Sequence, residues 1–457
     1  MTIKSQLPRS LTRFDATMLI IGNMIGIGIF TTTGYVAGYI NSSILLLFVW
    51  VIGAVYSYCG AITYAELSTR FPVSGGDFHY LKTAYHPLIG FLFGWSTFTV
   101  TYTGSVATIA VGFATYFQNL LPKSFLGLSI SIPLTPLYLT SIKIIAVLIT
   151  LLLTWINAKG VKYGARFQNL FSVAGIGVIF AFVTAGILSN AADSNNFYPL
   201  WPDSLSLGES SFLGVAFVSI VFTYAGWTTI VYVAGEIKNP TKNIPSAMLI
   251  SVTLVAIIYI IMNLVYLLAM PMTEMKNVVD IGYVAMQRLF NEDIGILFAI
   301  IVMLLSLSSL NSTILSGARI YYAMAIEGKF FKIVGKLHQT SKVPAISLWA
   351  QCLWSVVLII SGSFNQLLTY TVFIMVLFSF LSGVALFIIR KTDQDKNYSS
   401  KIRGYPYIPL FFIVFSSFIM ISILYNRPLE SLIGIFIVCL GIPFFLFWEK
   451  RNGVAAK

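Results

Sequence analysis

Charge is what this sequence has least of. Only 10% of its 457 residues are Asp, Glu, Lys or Arg, where soluble domains carry about 25%. That shortage excludes a soluble domain or a string of them. Histidine and cysteine are scarcer still, three of each. Cys59, Cys352 and Cys439 lie in separate apolar runs, so neither a disulfide framework nor a metal cluster is expected. His79, His86 and His338 fall in or near loops and are given no role. No GxxxxGK[ST] phosphate cradle occurs, which argues against an ATP-driven pump in this chain. Strictly alternating apolar stretches are missing too, and with them a transmembrane β-barrel. The net charge of +12 would suggest nucleic acid in a soluble protein. Here the cations sit in loops, so no nucleic-acid partner is expected.

What the sequence does have is long apolar runs. Hydrophobic residues make up 57% and mean hydropathy is +0.86. A helix needs about 20 residues to cross the hydrocarbon core. Twelve such spans are expected at about 14–39, 43–69, 87–119, 138–157, 164–188, 210–236, 246–270, 284–324, 344–363, 366–390, 407–425 and 429–448. The third and eighth exceed the membrane's need and should tilt or protrude. With the N-terminus inside, Lys123, Lys143, Lys276, Arg288 and Arg427 are the outside cations and every other Lys and Arg falls inside. Acidic residues divide evenly. This bias is the positive-inside signature, so both termini are expected in the cytoplasm. The basic start is read as leading into an uncleaved first span.

Two spans carry breaks. The first holds Gly22-Asn23-Met24-Ile25-Gly26-Ile27-Gly28, and the sixth holds Phe222-Thr223-Tyr224-Ala225-Gly226-Trp227. Each opens a set of five spans, 14–188 and 210–390, and the second set starts from the opposite side. That is the pattern of an inverted repeat with paired broken helices. Glycine costs about 1 kcal/mol in a helix interior, and an unwound turn frees N–H and C=O groups that protein, water or ligand must satisfy. Half-helix N-termini favour an anion and C-termini a cation, and a zwitterionic α-amino acid supplies both. The competing reading of Gly22-x-x-x-Gly26 is close helix packing.

These residues carry a resemblance. GNMIGIGIF followed by TTTG resembles the first-helix signature of the amino acid–polyamine–organocation superfamily, and FTYAGW with GEIKNPTKNIPSAM resembles the sixth-helix signature of its L-type branch. PVSGGDFHYL, NAKGVKYGARFQN, SLNSTILSGARIYYAMAIEG and RPLESLIGIFIVCLGIP agree in order along the chain. The resemblance implies an all-α integral membrane protein of LeuT-type fold: twelve helices, a 5+5 inverted repeat and two further helices over 407–448. It implies that the substrate carboxylate meets the backbone N–H groups of Gly26, Ile27 and Gly28. The ammonium would meet the carbonyls of Met24, Phe222, Thr223 and Ala225. Phe222 matches an aromatic that covers substrate from outside, its other reading being an ordinary core residue.

Two departures stand out. Ile27 occupies a place usually held by Ser, Ala or Thr, and Gly175 stands where many members carry a lysine. That lysine occupies the sodium position of sodium-coupled relatives. Ser308 and Ser309 match paired hydroxyls that help ligate sodium, which takes oxygen ligands, or else they bond back to their own helix. Possible sodium is thus the one ion in question, and no other cofactor is expected. Asp15, Glu66, Arg70, Glu236 and Arg319 lie near cytoplasmic span ends, as an inner gate of ion pairs or as boundary anchors. No ionisable residue falls at a span centre, which argues against a charged substrate and against a side-chain proton relay. Animal L-type carriers join a glycoprotein through a cysteine after span three. The loop 119–137 has none, so no disulfide-linked ancillary subunit is expected, as suits a free-standing bacterial carrier. The expectation is a non-enzymatic secondary transporter of the plasma (inner) membrane. It moves neutral L-amino acids by exchange or facilitation, with sodium- or proton-coupled symport as the alternative. Side-chain selectivity would come from residues of spans three, six, eight and ten.

Overall fold

The computed structural model describes residues 9–118, 120–121, 129–131, 138–201, 207–361, 364–392 and 402–455. Lys4, Lys123, Lys396, Lys401 and Lys457, used above for orientation, lie outside them, as do the side chains of Lys162 and Arg166. Eleven helices among the described residues are long and apolar enough to cross a membrane. The ninth expected span is the helix Ala345–Ser361 of 17 residues, about 26 Å long.

Burial sorts the spans. In the most apolar windows of the first, third and sixth, 78–83% of residues are buried, against 28–33% in the fourth, fifth, eleventh and twelfth. The first three therefore form the centre, and the outer four present exposed Leu, Ile, Phe and Val to lipid. Start signals fix the helix registers. Thr12 and Asp15 make a reciprocal capping box on Arg13–Met24, His86 caps a helix that opens on Pro87, and Thr140 caps Ser141–Lys159.

Three boundaries depart from expectation. The eighth span begins at Glu292, not at 284. Asn291 accepts from the Ile294 N–H and starts a new helix, so Ile281–Leu289 is a separate helix. The fourth span begins at Ser141, because Tyr138–Thr140 pairs antiparallel with Ser129–Ser131 outside the bundle. The connection after the second span is not a plain loop. It holds the helix Asp77–Ala84, and His79, read above as a loop residue, is buried in it.

Candidate functional site

Both glycine-marked spans are interrupted, each in its own way. The first runs helical over Arg13–Met24 and again over Ile27–Ala37, with Ile25 out of the helix and Gly26 extended between. Gly26 lies at φ −130°, open to any residue, so its need is for space. A Cβ there would stand 2.5 Å from Cβ and Oγ of Ser309. The sixth span does not unwind fully. Its helix Leu207–Tyr224 passes into a four-residue 3-10 turn, Ala225–Thr228, then the short helix Thr229–Tyr232. Gly226 lets the two breaks touch, since a Cβ there would meet the backbone N of Met24 at 2.5 Å.

Between the breaks lies a cavity of about 50 Å³. All seven residues named from the sequence line it: Met24, Gly26, Ile27 and Gly28 on the first span, Phe222, Thr223 and Ala225 on the sixth. The half-helix Ile27–Ala37 has no side-chain cap. Its first N–H groups lack intrahelical partners and open on this space, a ready anion site.

The carbonyls are not equally free. Met24 C=O already accepts from the Gly26 N–H at 2.9 Å and from the Tyr259 hydroxyl. Tyr259 also donates to Thr223 C=O at 3.3 Å, and Thr228 donates to Ala225 C=O at 3.0 Å. Each carbonyl has two lone pairs, and both of Met24 are engaged. Tyr259, fully buried on the seventh span, thus ties the two breaks together. Replacing Tyr259 with Phe should weaken substrate binding about tenfold, the effect of a lost buried hydrogen bond worth 1–3 kcal/mol. Equilibrium binding of labelled amino acid checks this, and unchanged affinity would remove the hydroxyl from the argument.

Sequence reasoning missed several neighbours. Tyr102, Ser105 and Ile109 come from the third span, Thr228 and Thr229 from the sixth, Thr313 from the eighth and Met375 from the tenth. Asn23 ties its span to two others: its side-chain amide donates to Thr229 on the sixth and, at 3.2 Å, to Ser312 on the eighth, and its backbone carbonyl accepts from Ser309 on the eighth at 3.0 Å. Its place inside the GNMIG string was the available signal. Ile27 is accommodated by Gly112, whose added Cβ would lie 2.5 Å from Cγ1 of Ile27. Tyr224 and Trp227 turn away, Tyr224 against Trp50 and Tyr259, Trp227 against Tyr64.

Ser308 and Ser309 part company. Ser309 lines the cavity, while the Ser308 hydroxyl stands 3.5 Å from that of Ser172 on the fifth span. Leu305 fills the space beside Gly175, 2.0 Å from where a Cβ would be.

The charges at the span ends expected inside form buried pairs rather than exposed anchors. Arg319 Nε lies 3.1 Å from Glu236 Oε1, both almost fully buried. Glu66 accepts from Arg70 at 3.0 Å, from Arg390 Nε at 2.8 Å and from the Ile402 N–H at 2.9 Å. Asp15 is the exception: half-exposed, it caps its own helix and accepts from Asn169 at 2.8 Å.

A helical bundle with two facing breaks around an uncharged cavity is the architecture of a carrier. The profile of the amino acid permease family matches residues 11–446. The chain belongs to that family. This permease is therefore an all-α, LeuT-type membrane transporter and not an enzyme. It is 28% identical over 445 residues to large neutral amino acids transporter small subunit 2 of Rattus norvegicus, covering 96% of this chain and 80% of the relative. It is 27% identical over 451 residues to Asc-type amino acid transporter 1 of Mus musculus, covering 96% and 81%. It is 27% identical over 440 residues to the serine/threonine exchanger SteT of Bacillus subtilis (strain 168), covering 96% of both chains.

Proposed function

We propose that this permease exchanges neutral L-amino acids across the plasma membrane by alternating access, with both termini cytoplasmic and no disulfide-linked subunit. One observation carries the reading. The uncapped N-terminus at Ile27 and the carbonyl end of the sixth-span helix meet in one cavity whose lining has no charged side chain. The carboxylate binds at the N–H groups of Ile27 and Gly28, the Gly26 N–H of the sequence reading being already bonded to Met24 C=O. The ammonium binds at the carbonyls of Phe222, Thr223 and Ala225, with Met24 anchoring the turn through Tyr259. An uncharged lining suits neutral side chains. The relatives' names, large neutral and serine/threonine, support the same class. The cation bias of the loops supports the orientation, and the cysteine-free loop 119–137 supports a free-standing chain.

Sodium-coupled symport is the second reading. The observation favouring it is the approach of the Ser308 and Ser172 hydroxyls below the break, since sodium takes oxygen ligands. The test is uptake of labelled L-amino acids into proteoliposomes while internal amino acid, sodium gradient and pH gradient are varied separately. Uptake that needs internal amino acid and no sodium is expected. Uptake driven by sodium would replace exchange with symport. No uptake of any amino acid would overturn the substrate class.

A further inference from the structure

A second cavity, about 40 Å³, lies next to the first. It shares Tyr102, Ser105, Thr228 and Met375 with the substrate cavity, and adds Tyr64, Phe93, Thr101, Tyr232, Phe378, Ser379 and one acid, Asp77. Asp77 is 1% exposed. It opens the helix that follows the second span, placed there by Gly75 and Gly76, whose φ of 110° and 47° favour glycine. The Gly75 N–H is bonded to the Tyr232 carbonyl at 3.2 Å. Three hydroxyls converge on the carboxyl: Tyr64 donates to Oδ1 at 2.6 Å, Tyr232 to Oδ2 at 2.9 Å, and Ser382 to Oδ1. These come from the second, sixth and tenth spans. One carboxyl thus fastens three spans together on the cytoplasmic side of the substrate.

No cation pairs with it among the described residues. The titratable groups facing it are tyrosines: Tyr64, Tyr232 and, from the third span, Tyr102. On its own helix, His79 turns to the Ser74 carbonyl and Glu327, and Lys82 to Glu327. Arg70 and Arg390 are held by Glu66. A purely structural junction among three hydroxyls needs no ionisable group, and a buried acid without a counter-charge is costly.

We propose that Asp77 is the latch of the cytoplasmic exit from the substrate cavity, and that a proton works the latch. The proposal rests on the transport reading above for the route that the latch closes. Burial pushes the Asp77 carboxyl above the usual carboxylate range, with the hydroxyls of Ser382, Tyr64 and Tyr232 pulling less strongly the other way. Once the exit opens and water arrives, the carboxyl returns to its ordinary range. The latched state therefore holds the proton more tightly. Falling pH favours the latch, and rising pH favours opening with release of the proton to cytoplasmic water.

The test is exchange of radiolabelled L-serine and L-leucine in proteoliposomes of the full chain, with pH equal on both sides. Wild-type exchange should rise at least fivefold as pH is raised stepwise through the range in which the protein stays folded. Asp77→Asn, neutral throughout, should change less than twofold while binding either amino acid within threefold of wild type, because Asp77 does not line the substrate cavity. Ser382→Ala removes one hydroxyl from the ionised form and should move the midpoint to higher pH. It serves also if Asp77→Asn does not fold. A flat wild-type profile, or a wild-type profile in Asp77→Asn, overturns the latch. If neither amino acid moves, the transport reading fails separately, and the latch is then read without substrate. In a chain lacking Cys59, Cys352 and Cys439, a thiol placed by Ser379→Cys should be labelled at least fivefold faster at pH 8 than in the same chain with Asp77→Asn. Equal labelling overturns it.

Discussion

Gly26→Trp should abolish substrate binding, lowering affinity for labelled amino acid by at least ~100-fold, about 2.7 kcal/mol. Even one added carbon at this position would stand 2.5 Å from both Cβ and Oγ of Ser309, and that side chain cannot retreat without moving the eighth span. An indole carried on this backbone would be driven into the space between the breaks, whose lining includes Ser309, Thr223 and Phe222. It would also cover the N–H groups of Ile27 and Gly28, where the proposal puts the carboxylate. The control is Gly177→Trp. Gly177 is exposed on the fifth span, and nothing lies within 4 Å of its added Cβ, so binding should stay within twofold of wild type. Scintillation proximity binding on purified protein checks both. Wild-type affinity in Gly26→Trp would sink the proposed site.

The breaks were legible because glycine pairs inside apolar runs are costly and conspicuous. What could not be read was why each glycine is there. Helix propensity pointed to unwinding, whereas Gly26 and Gly226 serve contact with Ser309 and with the backbone at Met24. Contact between residues more than 200 positions apart leaves no mark in spacing. The same limit hid Tyr102, Ser105, Thr313 and Met375, each an unremarkable residue of an amphipathic or apolar span. The eighth span was drawn too long because Ile281–Leu289 is apolar enough to extend it, and the Asn291 cap that ends it is a single residue. Asp77 stood in plain view within PVSGGDFHYL, yet only the turn at Gly75 and Gly76 carries it under Tyr64 and Tyr232. A sequence shows that few charges exist, and burial decides which of them matter.

Glu236 and Arg319 show that difference in energy. Their pair joins the C-terminal end of the broken sixth span to the eighth, and both side chains are almost wholly out of water. Arg319 also donates to Leu315 C=O at 2.9 Å. Removing one partner leaves the other charge buried and alone, a loss of about 3–5 kcal/mol. Arg319→Met should therefore lower thermal stability in detergent sharply and cut transport to near background, and Glu236→Gln should do likewise. The double variant is the informative one. With no charge left, the desolvation penalty disappears, so stability should recover most of the loss although the interaction is gone. Transport in the double variant then reports on the pair itself. Recovered stability with transport still below a tenth of wild type would mean that the sixth span is worked from this end by a charge pair that forms and breaks in the cycle. Recovered stability with recovered transport would reduce the pair to a fastening, and would leave Asp77 as the working acid.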